Sequence, residues 1–290
     1  MIPPRTILAP VDFSDASRVS LQYAARLAAR WNAALHVLHA LDPLLAAAAR
    51  TRHVDLVTTT RDELASFAAA ACGSAPAATH HVTAGAAAAA ICDAADSLGA
   101  DLIVAGTRGL SGINRFVMGT TVEHVIRHAR RSVLTVPGHE RAGAGAGTGW
   151  GPVIAALEDP SRPGPVALAA GALATHLSAP LHIVHVVPPL PAPKRWRAEA
   201  EAALHARIDD ARRALTVALI GFDGPTPGNV HVTTGPVADT LAAEIGRYAG
   251  ARAFLVLGRA GPGGGRAPGS VASRVIARAT APVWVHLPDA

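Results

Sequence analysis

The two halves of this chain repeat one another at a nearly constant offset, and that repetition restricts the fold more than any single motif does. RTILAPVDFS at 5–14 resembles GPVIAALEDP at 151–160, and AALHVLHALDP at 33–43 resembles APLHIVHVVPP at 179–189. At an offset of 146, Asp12 falls on Glu158, His36 on His182 and His39 on His185. Further on, VTAGAAAAAICDAA matches VTTGPVADTLAAEI, DLIVAGTRG matches AFLVLGRAG, and GTTVEHVIRHARRSVLTV matches GSVASRVIARATAPVWVH. A chain of 290 residues, half of them hydrophobic, is long enough to bury two cores. The repetition divides it into domains at 1–138 and 151–290, joined by a Gly-rich linker at 139–150.

Each half alternates strand and helix. TILAPV is a short continuous apolar run, the pattern of a strand covered on both faces. A helix follows over Ser14–Trp31, with Ser14 or Asp15 available as N-cap and Leu21, Ala24, Ala25 and Ala28 at helical spacing. Then come a strand (ALHVLHA), a helix around 55–72, a strand (THHVTA), a helix at 86–98, a strand (DLIVAG), a loop, a helix at 120–130 and a strand (SVLTVP). Such alternation predicts an α/β fold with right-handed crossovers, hence two tandem Rossmann-like doubly wound domains, each a five-stranded parallel sheet between helices. Ligands of such folds bind beyond the strand C-termini at the switch point.

Composition narrows the function. The net charge is +5, but the arginines are scattered and aromatics make up 4% of residues, which argues against a nucleic-acid partner and suits an anionic small ligand. No apolar run approaches membrane-spanning length and no signal peptide is apparent, so a cytoplasmic protein without a membrane partner is expected. Cys72 and Cys92 lie in Ala-rich helical text and suggest neither a disulfide framework nor a thiolate metal site.

The chemistry concentrates in GTRGLSGINRFVMGTT at 106–121, where the fourth strand ends. Gly106 and Gly109 leave room for backbone amides to approach an anion. Gly119, Thr120 and Thr121 open a helix whose free N–H groups and dipole favour phosphate, and Arg108 and Arg115 add charge. On spacing alone the stretch equally reads as a strand-to-helix corner with Thr120 as N-cap. It is not a P-loop, because the sole lysine is Lys194, and G-x-G-x-x-G does not occur.

Gly106, two residues, Gly109, nine residues, then Gly119-Thr120 matches the G-x2-G-x9-G-[ST] signature of ATP-binding universal stress proteins, and ILAPVDFSD at 7–15 adds to the resemblance. That resemblance covers nearly the whole chain, as a tandem member with strand order 3-2-1-4-5 in each domain. It implies that Pro10, Val11 and Asp12 meet the adenine and ribose, with Ala40 near the base where the family often has Val. Gly106, Thr107, Arg108 and Gly109 would line the ribose and α-phosphate, and Gly119, Thr120, Thr121 and Val122 the outer phosphates. The implied cofactor is ATP, with Mg2+ or another divalent ion carried by the nucleotide.

The second half departs from the signature: Gly258 and Gly261 keep the first spacing, only seven residues separate Gly261 from Gly269, and Glu158 replaces Asp12. The nucleotide is therefore expected in the first domain. ATP there would bias the loop 107–118, to be sensed by an unknown protein partner or by the second half. No catalytic residue is singled out, and turnover is expected to be at most weak ATP hydrolysis. The alternatives are a slow ATPase or phosphotransfer enzyme, and a nucleotide-independent pseudodimer packed through SVLTVP and PVWVHLP, with or without homodimerisation.

Other constellations have bland readings. His124 and His128 in EHVIRH lack the H-E-x-x-H order and read as a solvated helix face, with no metal. Alternation sends His36 and His39 to opposite faces of their strand, as supports near the sheet end. Ser111 lacks a G-x-S-x-G elbow. The segment 189–215 reads as a Pro-rich arm running into a solvated amphipathic helix.

Overall fold

A computed structural model describes residues 3–73, 77–107, 118–138, 149–248, 250–259 and 270–287. Of the signature residues, Arg108, Gly109, Ser111, Arg115, Gly261 and Gly269 lie outside the described residues, as does most of the Gly-rich segment, 139–148.

In the first half, β1 (Thr6–Pro10) leads into α1 (Asp15–Trp31), followed by β2 (Ala34–Leu41), α2 (Pro43–Thr51), α3 (Leu56–Cys72), β3 (Ala78–Ala84), α4 (Ala87–Ser97), β4 (Leu102–Gly106), α5 (Thr120–His128) and β5 (Ser132–Val136). The second half runs β6 (Val153–Leu157), α6 (Gly164–Leu177), β7 (Leu181–Val187), a 3-10 turn at Lys194–Trp196, α7 (Arg197–Ile220), β8 (Asn229–Thr234), α8 (Val237–Gly246), β9 (Phe254–Gly258), α9 (Ser270–Arg278) and β10 (Val283–His286).

Local chemistry sets the helix starts. Ser14 caps α1, its side-chain oxygen accepting from the Ser17 N–H at 3.2 Å, and Asn32 ends that helix in the left-handed conformation. Leu21, Ala24, Ala25 and Ala28 are all buried on the face that spacing assigned to the core. The short helix α2 was not anticipated. Asp42, whose carboxylate accepts from the Leu44 and Leu45 N–H groups, caps it, with Pro43 at its first position.

The first half forms a parallel sheet in the order β3-β2-β1-β4-β5. β10 then pairs antiparallel with β5, with Trp284 opposite Leu134 and Val285 opposite Val133. The Thr135 hydroxyl donates to the Val283 carbonyl at 3.1 Å, and the Leu287 N–H donates to the Ser132 hydroxyl at 3.2 Å. One compact unit accordingly comprises Pro3–Ala144 with Pro282–Leu287. The other, within Gly145–Ala281, has four parallel strands in the order β9-β6-β7-β8, the second-half equivalents of the fourth, first, second and third strands. Both halves are thus doubly wound, and in the strand order β10, fifth in the second half by sequence, follows β9, so the order 3-2-1-4-5 expected of each half is kept.

Among the described residues, no helix is long and apolar enough to cross a membrane. Neither Cys72 nor Cys92 is in a disulfide. Burial pushes the Cys72 thiol up.

Candidate functional site

A cavity of about 290 Å3 opens at the C-terminal end of the first sheet. β1 contributes Pro10 and, just past its end, Val11 and Asp12; β2 contributes Leu38, His39 and Ala40; β4 contributes Ala105 and Gly106. Its remaining walls are Ser17 of α1, Ala87 and Ile91 of α4, and Gly119, Thr120, Thr121, Val122 and Val125 at the start of α5. Nine of the residues assigned from sequence therefore line one cavity: Pro10, Val11, Asp12, Ala40, Gly106, Gly119, Thr120, Thr121 and Val122. Leu38, His39, Ala87 and Ile91 were not assigned. The two on α4 were legible only as an apolar pair one turn apart.

The chain bends sharply where it leaves β1. Asp12 Oδ1 accepts from the Ser14 N–H at 3.1 Å and from the Ser14 hydroxyl at 2.5 Å, and Phe13 between them has a φ of 64°, left-handed for a residue with a bulky side chain. This turn fixes the carboxyl of Asp12 at the cavity. The second half repeats this pair of hydrogen bonds one residue later, across Pro160 and so without a left-handed residue: Asp159 accepts from the Ser161 N–H at 2.9 Å and from its hydroxyl at 2.6 Å. Those two bonds hold the Asp159 carboxyl below its ordinary range. The carboxylate that bonds the serine two residues on is thus Asp159 in the second half, next to the aligned Glu158.

Gly106 was read as an opening for a ligand. A Cβ there would stand 2.9 Å from the Ala16 carbonyl oxygen and 3.0 Å from the Ala16 carbonyl carbon. Its first role is to let α1 lie against β4. A Cβ at Gly138 would likewise sit 2.9 Å from the Ala16 Cβ.

Thr107 is buried and turned to the loop base, its N–H donating to the Val136 carbonyl at 3.0 Å and its own carbonyl accepting from Gly119 at 3.0 Å. Gly119, not Thr120, is the N-cap of α5, and no side chain caps it. The corner reading, with Thr120 as cap, is therefore not what the helix uses. The N–H groups of Thr120, Thr121 and Val122 have no intrahelical acceptor, and they form the positive end of the helix beside the cavity.

The histidines are structural and differ between halves. His39 Nδ1 lies 2.8 Å from the Val11 carbonyl and His185 Nδ1 lies 2.9 Å from the Leu157 carbonyl, so this bond belongs to the sheet, not to a ligand. On the other face, His36 Nδ1 meets His81 Nε2 at 2.9 Å, whereas His182 Nδ1 meets the Tyr248 hydroxyl at 3.2 Å. Desolvation holds His80, His81 and His182 below the ordinary histidine range, and the His36, His80 and Arg61 charges add to it at His81. A base with a depressed pKa in the folded state is protonated first when unfolded. Its stabilisation is thus complete above the unfolded pKa of about 6.5 and is lost as pH falls through the lower folded value. We expect the melting temperature to drop between about pH 7 and pH 5, and His81→Asn to flatten that dependence in a pH series of thermal melts.

The sequence model of the universal stress protein family matches residues 4–137 and again 150–286. A Staphylococcus haemolyticus protein described as a universal stress protein is 48% identical over 42 residues, 14% of this chain and 26% of its own length. The chain thus spans about a quarter of the length of the curated relatives it matches. Among solved structures, a Pseudomonas aeruginosa protein of unknown function is similar at 18% identity and a TM-score of 0.62, covering 99% of this chain and 93% of that one. A second Pseudomonas aeruginosa structure, described as a universal stress protein, is similar at 19% identity and a TM-score of 0.61, covering 99% and 94%. With its sheet order, its strand-end cavity and two family matches that take in almost every residue, the chain belongs to the universal stress protein family.

Proposed function

We propose that the first half is an ATP-binding regulatory module of the stress response. The observation that carries this reading is the cavity of about 290 Å3 lined both by apolar side chains and by the start of α5, which no side chain caps. Its size lies near the lower end of the ~300–1,000 Å3 usual for ligand sites. Val11, Leu38 and Ala40 suit a flat apolar base, Asp12 suits ribose hydroxyls, and the α5 amides with the Thr120 and Thr121 hydroxyls suit phosphates. Mg2+ would arrive on the nucleotide, since it keeps oxygen ligands and takes few from protein.

Calorimetry on the intact protein with ATP and Mg2+ tests the reading, and no heat of binding from the wild type ends it. Asp12→Ala is expected to weaken ATP about 10–100-fold, the worth of a hydrogen bond to a charged group. A second reading, a nucleotide-independent pseudodimer, draws on the pairing of β5 with β10, which needs no ligand. It expects a melting temperature unchanged by ATP and Mg2+, where the first expects a rise.

A further inference from the structure

Phe13 stands between Asp12 and Ser14 with a φ of 64°, a left-handed conformation that a bulky side chain adopts only at a cost. The hydrogen bonds of the turn do not require it, since Asp159 bonds Ser161 in the same way across Pro160, whose ring imposes a negative φ. What differs is where the carboxylate stands: Asp12 is half-buried and lines the cavity, whereas Asp159 is exposed. A backbone outlier persists where its surroundings over-determine it, and here they are aromatic. The Phe13 ring lies against His39, with centroids 4.7 Å apart, and meets Phe67 of α3 edge-to-face, with centroids 5.5 Å apart. His39 is itself fixed, its Nδ1 2.8 Å from the Val11 carbonyl oxygen. The Arg18 guanidinium of α1 covers Phe67, 4.6 Å from the ring centroid.

We propose that Phe13 is a positioning residue: clamped left-handed between His39 and Phe67, it holds the Asp12 carboxylate at the cavity, and α3 thereby sets how well the site tells a ribose from a sugar without hydroxyls. The inference rests on the nucleotide reading of the cavity. Among the described residues α3 supplies none of the cavity wall, so Phe67 reaches the site through Phe13. The second half lacks this contact at its turn, because Pro160 brings no aromatic ring to the aligned His185. Glycine would make a left-handed turn at no steric cost, whereas a clamped phenylalanine gives up that ease for rigidity. A carboxylate already held in place binds a hydroxyl with less ordering left to do.

The test compares ATP with 2′,3′-dideoxy-ATP, each with Mg2+, by calorimetry on the full-length protein. The wild type is expected to favour ATP by about tenfold or more, the worth of hydrogen bonds to a carboxylate. Phe13→Gly and Phe67→Leu are expected to weaken ATP about 3–10-fold and to leave the dideoxy nucleotide unchanged, so the preference shrinks. Melting temperatures should stay within a few degrees, since glycine takes a positive φ freely and leucine keeps much of the Phe67 volume. Phe13→Tyr, which keeps the ring, is expected to keep the preference. A merely structural support would weaken both nucleotides alike. That result, equal affinity for the two in the wild type, or an unchanged preference in Phe13→Gly and Phe67→Leu overturns the clamp and leaves ATP binding standing. No binding of either nucleotide by the wild type ends both.

Discussion

Trp284→Ala is expected to destabilise the first unit by about 3–5 kcal/mol, although residue 284 lies at the other end of the chain from that unit's other strands. Trp284 is 1% exposed and among the largest fully buried side chains of the protein. It stands opposite Leu134 of β5 and makes an edge-to-face contact with Trp31, ring centroids 6.5 Å apart. Its removal leaves a cavity that the packed surroundings cannot close. Trp284→Phe should cost much less, because the indole Nε1 is buried with no hydrogen-bond partner and its loss removes an unmet donor. Denaturant melts give the magnitudes, and hydrogen exchange gives the place. Protection should fall first in β5 and β4; a loss confined to β6 and β7 would refute the placement of β10.

The second large effect separates two glycines that look alike in sequence. Gly106→Ala puts a Cβ 2.9 Å from a backbone carbonyl oxygen of α1, which moves only with its helix. Gly258→Ala puts one 2.9 Å from Cγ2 of Val166, the end of a side chain. We expect about 1–3 kcal/mol for the first and a smaller loss for the second. Because α1 also carries Ser17 in the cavity wall, Gly106→Ala is expected to weaken ATP as well. Equal destabilisation by the two substitutions would contradict the packing argument.

The strand and helix pattern of the first half was legible because periodicity and caps are local. TILAPV read as a strand covered on both faces, DLIVAG and SVLTVP as further strands, and Ser14 marked a helix start. The cavity wall at Pro10–Asp12, Gly106 and Gly119–Val122 was legible from spacing and resemblance together. What local pattern does not carry is destination. PVWVH reads as a buried strand whichever sheet receives it; its pairing with SVLTVP was expected from the repetition of the two halves and from the need of apolar edges for cover, not from local pattern. Gly106 reads as freedom for a ligand until the approach of Ala16 is seen. The shift from Glu158 to Asp159 was hidden for a related reason: alignment counts positions, whereas an Asx turn is defined by which carboxylate reaches the serine two residues on. The Asp42-Pro43 start of α2 was a local signal that went unread, between a strand and a longer helix.

The position of β10 has a consequence for biosynthesis. A ribosome makes β1 to β5 first, yet the strand that covers the β5 edge cannot pair until residues 137–286 have followed. At about 5–20 residues per second that interval lasts on the order of ten seconds. Throughout it, SVLTV presents an apolar, unpaired edge of the kind that recruits other strands. The nascent first half therefore has reason to need a chaperone, and the arrival of β10 ends that need.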